Sequence, residues 1–176
     1  LGLQLERAAT TVRVVASRYP VAVALDEEDS ARARQLIALL ESCCAFEAFV
    51  KRYGTMFEPA TIADELIRSA DFPRAVRFCL AGSLDSVTRI SSDQGLPHRI
   101  LGRLVADLAY GEIEDMSGQT VTETLGRVLT GIHSAGDAIT KAYFSSRALP
   151  ASSASRAITG AASTMKGTTW IISTMS

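Results

Sequence analysis

Two charged stretches hold the side chains with the most chemistry to offer. "GLQLERAATTVR" carries Glu6, Arg7 and Arg13, and "ADFPRAVRFCL" carries Asp71, Arg74 and Arg77. Guanidinium groups bind carboxylates and other anions through paired N–H bonds, and a carboxylate whose pKa burial has shifted can transfer protons. On a helix, Glu6 and Arg13 lie two turns apart at the border of the apolar stripe, roughly 100–120° from its centre. In the second stretch Val76, Cys79, Leu80 and Val87 define the inward stripe, which puts Arg77 roughly 80° off its centre and Arg74 roughly 140° off. The plain reading of these groups is ordinary surface and boundary packing; the functional one is a network of Glu6, Arg13 and Arg77 that orients helices or binds an anionic group. Arg74 points outward beside Phe78. Asp71 and Pro73 read as helix-start chemistry, with Pro73 at the first helical position, where its missing N–H costs nothing.

Other chemistries find little support. There is no GxxxxGK[ST] phosphate loop, no GxGxxG after a strand and no GxSxG nucleophile elbow. Without a CxxC, HExxH or spaced His/Cys set, no metal and no cofactor is expected. "LDEED", Asp26 to Asp29, has enough acids to hold Mg²⁺, but acids ahead of a helix are explained by its positive N-terminal end. Glu112, Glu114 and Asp115 in "GEIEDM" read as a solvated turn, and His98 and His133 as surface or boundary residues. The three cysteines, Cys43, Cys44 and Cys79, are an odd set in helical surroundings, which points to reduced core thiols in a cytoplasmic protein. A net charge of −1 and a pI near 6.2 are poor material for nucleic-acid binding. No apolar run approaches the length of a membrane span, roughly 18 residues. The first residues lack a signal-peptide pattern and read as the inside of a helix.

The elements that must position these groups are helical throughout. The stripe Leu5, Ala8, Val12 and Val15 marks a first helix that Pro20 should end, leaving "VAVALDEED" as a loop or extended packing segment. "SARARQLIALLESCCAFEAFVKRYG" reads as one long helix capped by Asp29 or Ser30, with Leu36, Leu40, Cys43 and Val50 inward, Ile37, Cys44 and Phe46 widening the stripe, and Gly54 as the stop. A shorter helix follows in "EPATIADELIRSA", with Thr61 as cap and Asp64 and Glu65 in the first turn. Helices from Pro73 and from Pro97 come next, the second carrying Ile100, Leu101, Leu104, Val105 and Leu108. A long last helix has Val121, Leu125, Val128, Ile132, Ile139 and Tyr143 on one face, and its Gly126, Gly131 and Gly136 can admit close helix contacts. The expectation is an all-α bundle of about six helices over 1–149. The Ser/Thr/Ala-rich tail 150–176, which has no acidic residue, is expected to be disordered, weakly docked or artefactual.

At the two charged stretches the chain resembles a bacterial family, the alpha-E domain. "GLQLERAATTVRV" is similar to that family's glycine-then-"ERA" helix start, and "DFPRAVRFCL" to its "FPRSVxFCL" signature, with Ala75 where the family usually has serine. "YGEIEDM" and "IHSAGDAITKAYF" look like its last helices, so the resemblance covers roughly residues 1–148. It implies that this chain is the C-terminal half of a domain about twice as long. It also implies a setting beside an ATP-grasp ligase and a transglutaminase-like protein, in a system that makes or modifies amides or peptides.

Three functions follow as expectations. The first is a non-catalytic helical partner of that ligase. The second is an enzyme acting on a peptide or amino acid through groups such as Glu6, Asp71 and Arg74, and the third is a purely structural interaction module. An apolar face left by a missing half would favour homo-oligomers.

Overall fold

Helix α1, Gly2–Val23, runs through the middle of the bundle and packs against α2, α4, α5 and α7. In the computed structural model residues 1–26, 30–91, 95–111 and 117–145 are described. Two compact units divide the chain, Leu1–Phe144 and Ser145–Ser176. Among the described residues there are seven α-helices: α1, α2 (Ser30–Ser42), α3 (Phe46–Tyr53), α4 (Pro59–Arg68), α5 (Val76–Ile90), α6 (Leu96–Tyr110) and α7 (Gly118–Ile139). There is no strand among the described residues, and the fold is all-α. The tail from 150 and most of the acidic "LDEED" and "GEIEDM" segments, with Asp29 as a cap, lie outside the described residues.

The stripe on α1 is as its period requires, with Ala8, Val12 and Val15 sealed and Leu5 half-buried. Pro20 does not end the helix. It sits in the last turn, where it forfeits one backbone bond, and its own carbonyl accepts from Ala24 N–H at 3.1 Å. Continuing to Val23 carries Ala22 into the core beside Tyr19, so the first three residues of "VAVAL" are helix and only Ala24 and Leu25 form the turn after it.

The start of α7 lies against this proline. A Cβ on Gly118 would come within 2.9 Å of Pro20 Cα, a backbone atom that cannot swing aside. Gly118→Ala is therefore expected to cost about 1–3 kcal/mol. Gly126→Ala, with nothing within 4 Å of the added Cβ, should gain about 0.5–1 kcal/mol. Urea denaturation of both variants checks the pair. Of the three glycines spaced along α7, only Gly131 meets a neighbouring helix: its Cβ would lie 2.6 Å from Leu104 Cδ2 on α6.

The long second helix is in fact two. Cys44 has φ +50, the left-handed value normally left to glycine. Cys44 N–H donates to the Glu41 carbonyl at 2.9 Å and Ala45 N–H to Leu40 at 2.8 Å, a Schellman pair that closes α2. The break resets the helical phase, so Leu39 and Phe49 join the sealed core while Cys44 is exposed and Val50 only half-buried. Gly54, φ +75, ends α3 as expected.

Two starts also differ from expectation. Helix α4 begins at Pro59, two residues before Thr61, which caps nothing. Helix α5 begins at Val76, because residues 69–75 form a turn held by Ser69 Oγ, which accepts from Phe72 N–H at 3.2 Å and Asp71 N–H at 3.4 Å. The turn buries Phe72 and leaves Pro73 outside the helix. At the far end, α7 passes into a π-helical turn, Thr140–Phe144, whose wider turn puts Tyr143 at the surface rather than on the apolar stripe.

Candidate functional site

The turn 69–75 is pinned to α1. Thr11, buried on that helix, donates its hydroxyl to the Arg74 carbonyl at 3.0 Å, and Cys79 Sγ donates to the Pro73 carbonyl at 3.5 Å. This brings Arg74 to the N-terminal turns of α1, where Glu6 is exposed and Arg7 half-buried. With Leu3, Thr10, Ser42 and Cys43 they surround an open depression of about 210 Å³. The Glu6 carboxylate and the guanidinium groups of Arg7 and Arg74 take no hydrogen bond or ion pair among the described residues. Three charged groups are thus held beside one another by the fold, with their bonding capacity open to solvent.

The thiols beneath feel those charges. Burial pushes Cys43 up to about 11, helped by the neighbouring Cys44 thiol and opposed by Arg74 and Arg18. Cys79 is also raised by burial, with Arg7 and Arg74 opposing. Both buried cysteines therefore stay protonated at neutral pH, and the depression offers no thiolate nucleophile. For Cys43 the folded pKa lies above the unfolded value. Its contribution to stability is present below pH 9 and is lost as pH rises from 9 through 11. Iodoacetamide at pH 8 should modify Cys44 alone in the folded protein, and Cys43 and Cys79 only after denaturation, as read by intact mass.

The other candidate residues are placed elsewhere. Arg13 Nη2 donates to His133 Nε2 of α7 at 3.4 Å, in the open. Arg77 is half-buried and its Nη1 donates to the Arg68 carbonyl at 3.3 Å, closing the C-terminal end of α4. Among the described residues Glu6, Arg13 and Arg77 therefore form no common network. Phe78 packs against the core and is not an outward partner of Arg74.

Asp71 joins a different cluster. Arg52 Nη2 reaches Asp71 at 3.5 Å, while Arg52 Nη1 donates to both oxygens of Glu65 at 3.1 Å. The Tyr53 hydroxyl donates to the same carboxylate at 3.1 Å, and burial followed by Glu65 raises the Tyr53 pKa. Glu65 is buried on α4, and Arg52, Glu65 and Asp71 with Lys51, Phe72 and Pro73 line a groove of about 410 Å³. Its bonds are spent on joining α3 to α4. Sequence reading missed Glu65 and Arg52. The available signal was a glutamate three residues after Ile62 and one before Leu66, on the inward side of the helix.

The comparisons bear on the first site. A family model described as Alpha-E, "a predicted alpha-helical domain with a conserved ER motif", matches residues 1–144. The single Glu-Arg dipeptide in this sequence is Glu6–Arg7, so the motif stands at the rim of the depression. No curated protein and no solved structure matches the chain. With the match running over most of its length, through every described helix, the chain belongs to the Alpha-E family.

Proposed function

We propose that this domain is a non-catalytic helical partner in an ATP-grasp amide- or peptide-ligase system with a transglutaminase-like neighbour, and that it docks through the depression bordered by Glu6, Arg7 and Arg74. The observation that carries the reading is the state of the ER pair: it is characteristic of the family, yet both side chains line the depression, Glu6 exposed and Arg7 half-buried, and neither is paired among the described residues. A charged pair that served only the fold is expected to sit in ion pairs of its own chain, as Arg52 and Glu65 do. The size of the site supports the same reading. A cavity of about 210 Å³ is smaller than the roughly 300–1,000 Å³ of small-molecule sites, and suits one or two side chains of a partner. Arg7 and Arg74 match a partner's carboxylate, and Glu6 its lysine or arginine.

The setting beside a ligase rests on the resemblance of the two charged stretches to the family. Co-purification of the full chain with the ATP-grasp-type ligase, followed by ATP turnover with amino-acid acceptors, tests it. A stable complex with altered turnover is expected, and no complex with unchanged turnover sinks the reading. Turnover of a peptide or amino acid by this chain alone would establish the enzyme alternative instead.

A further inference from the structure

Helices α6 and α7 enclose a second, larger cavity of about 820 Å³ that shares no lining residue with the ER depression. Each helix presents one face to it, by the spacing of three and four that defines a helical stripe: Ile100, Arg103, Leu104 and Asp107 on α6, and Thr124, Arg127, Val128 and Gly131 on α7. The floor is aliphatic. It exists because Gly131 lacks a side chain, so that Leu104 can lie against the α7 backbone.

The rim is cationic. Arg103 and Arg127 are exposed, and Arg68 reaches in from α4. Arg68 is anchored by its Nε, which donates to the Leu108 carbonyl at 3.2 Å and lies 3.6 Å from Asp64, so its Nη groups are unpaired among the described residues. Arg127 spends one Nη on the Thr124 hydroxyl at 3.2 Å. Asp107, 3.9 Å from Arg103 Nε, and Asp64, beside Arg68 Nε, each offset one guanidinium charge, and Arg127 has no carboxylate partner among the described residues.

We infer that this groove binds a short acidic peptide segment in which a carboxylate side chain stands next to an aliphatic one. Charge complementarity selects the carboxylate, since the guanidinium fork matches its two oxygens. The aliphatic floor selects the neighbour, because burying a leucine-sized side chain there removes apolar surface from water on both partners. Length selects an extended chain. The lining runs from Ile100 to Gly111, about 16 Å along α6 at 1.5 Å per residue. That is the span of about five residues of extended peptide at roughly 3.3 Å each. Tyr110, 85% exposed at one end of the groove, supplies an aromatic anchor of the kind that dominates interface energetics.

Fluorescence polarisation with the full chain tests this site separately from the ER depression. The probe is a labelled, amidated Leu-Glu-Leu-Glu-Leu peptide, with Leu-Gln-Leu-Gln-Leu and Ser-Glu-Ser-Glu-Ser as controls. The acidic-aliphatic peptide is expected to bind at least about tenfold more tightly than either control, and Arg127→Glu or Arg103→Glu to weaken it about tenfold, both at exposed positions that leave the fold intact. Arg7→Glu should leave this binding unchanged. Equal binding of the three peptides, no binding of any, indifference to both substitutions, or displacement by inorganic phosphate at the peptide's concentration would each overturn the inference.

Discussion

Phe49→Ala is expected to destabilise the protein by about 3–5 kcal/mol, a large share of the roughly 5–15 kcal/mol that holds a domain of this size together. The ring is fully buried and packs against two others: Tyr53, tilted, at 4.9 Å between centroids and Phe57, stacked, at 6.2 Å, with Phe46 stacked on Phe57 at 6.1 Å. Truncation leaves a cavity where α3 meets the chain that leads to α4, and it also frees Tyr53, whose hydroxyl holds the buried Glu65. The backbone there cannot collapse easily, since α3 is fixed at one end by the left-handed Cys44 and at the other by Gly54. Phe46→Ala, at a half-buried position, should cost clearly less. Urea midpoints measure the difference, and a loss under about 1 kcal/mol for Phe49→Ala would contradict the packing described.

The second large effect concerns binding. Under the docking role proposed above, reversing both Arg7 and Arg74 to glutamate is expected to weaken binding to an ATP-grasp-type ligase by about a hundredfold, or roughly 3 kcal/mol, because attraction to a carboxylate becomes repulsion. Neither guanidinium is bonded among the described residues, so the fold should survive, and circular dichroism and the urea midpoint should stay near those of the unaltered chain. The affinity of the unaltered complex should itself fall with added salt, as expected for charges at a solvated rim. Isothermal titration of the ligase with each chain gives the ratio. An unchanged Kd with an intact fold would remove the ER depression from the interface.

How much of this was legible in the sequence depended on how local the cause was. The stripes of α1 and α7 could be read because the period alone decides which side of a helix is buried, and Ala8, Val12, Val15, Val121, Leu125, Val128 and Ile132 are all in the core. The break at Cys44 could not be read. A glycine at that position announces a helix end, whereas a cysteine takes the left-handed conformation at a cost of about 1 kcal/mol that only the surrounding packing offsets. Pro20 and Pro73 misled for a related reason: proline punctuates helices on average, but the final turn of α1 tolerates one, and the Ser69 turn claims the other.

The candidate site divides along the same line. Arg77, one residue into α5, is half-buried as its helical angle suggests, whereas Arg74 is exposed because it lies in the turn before the helix, where no helical angle applies. Which residues meet does not follow from angle. Thr11 docking onto the Arg74 carbonyl brings Arg74 to Glu6 and Arg7, while Arg52 draws Asp71 away into the groove beside Glu65. Those pairings join segments far apart in the chain, and no periodicity records them.

The claim that the ER depression is a docking surface is tested most directly by arginine footprinting. Phenylglyoxal labels exposed guanidinium groups, and mass spectrometry reads each site with and without the ATP-grasp-type ligase. Arg7 and Arg74 are expected to be labelled in the free protein and protected in the complex, while the exposed Arg34 and Arg99 react equally in both. Equal labelling of Arg7 and Arg74 in the free and bound states would contradict the account.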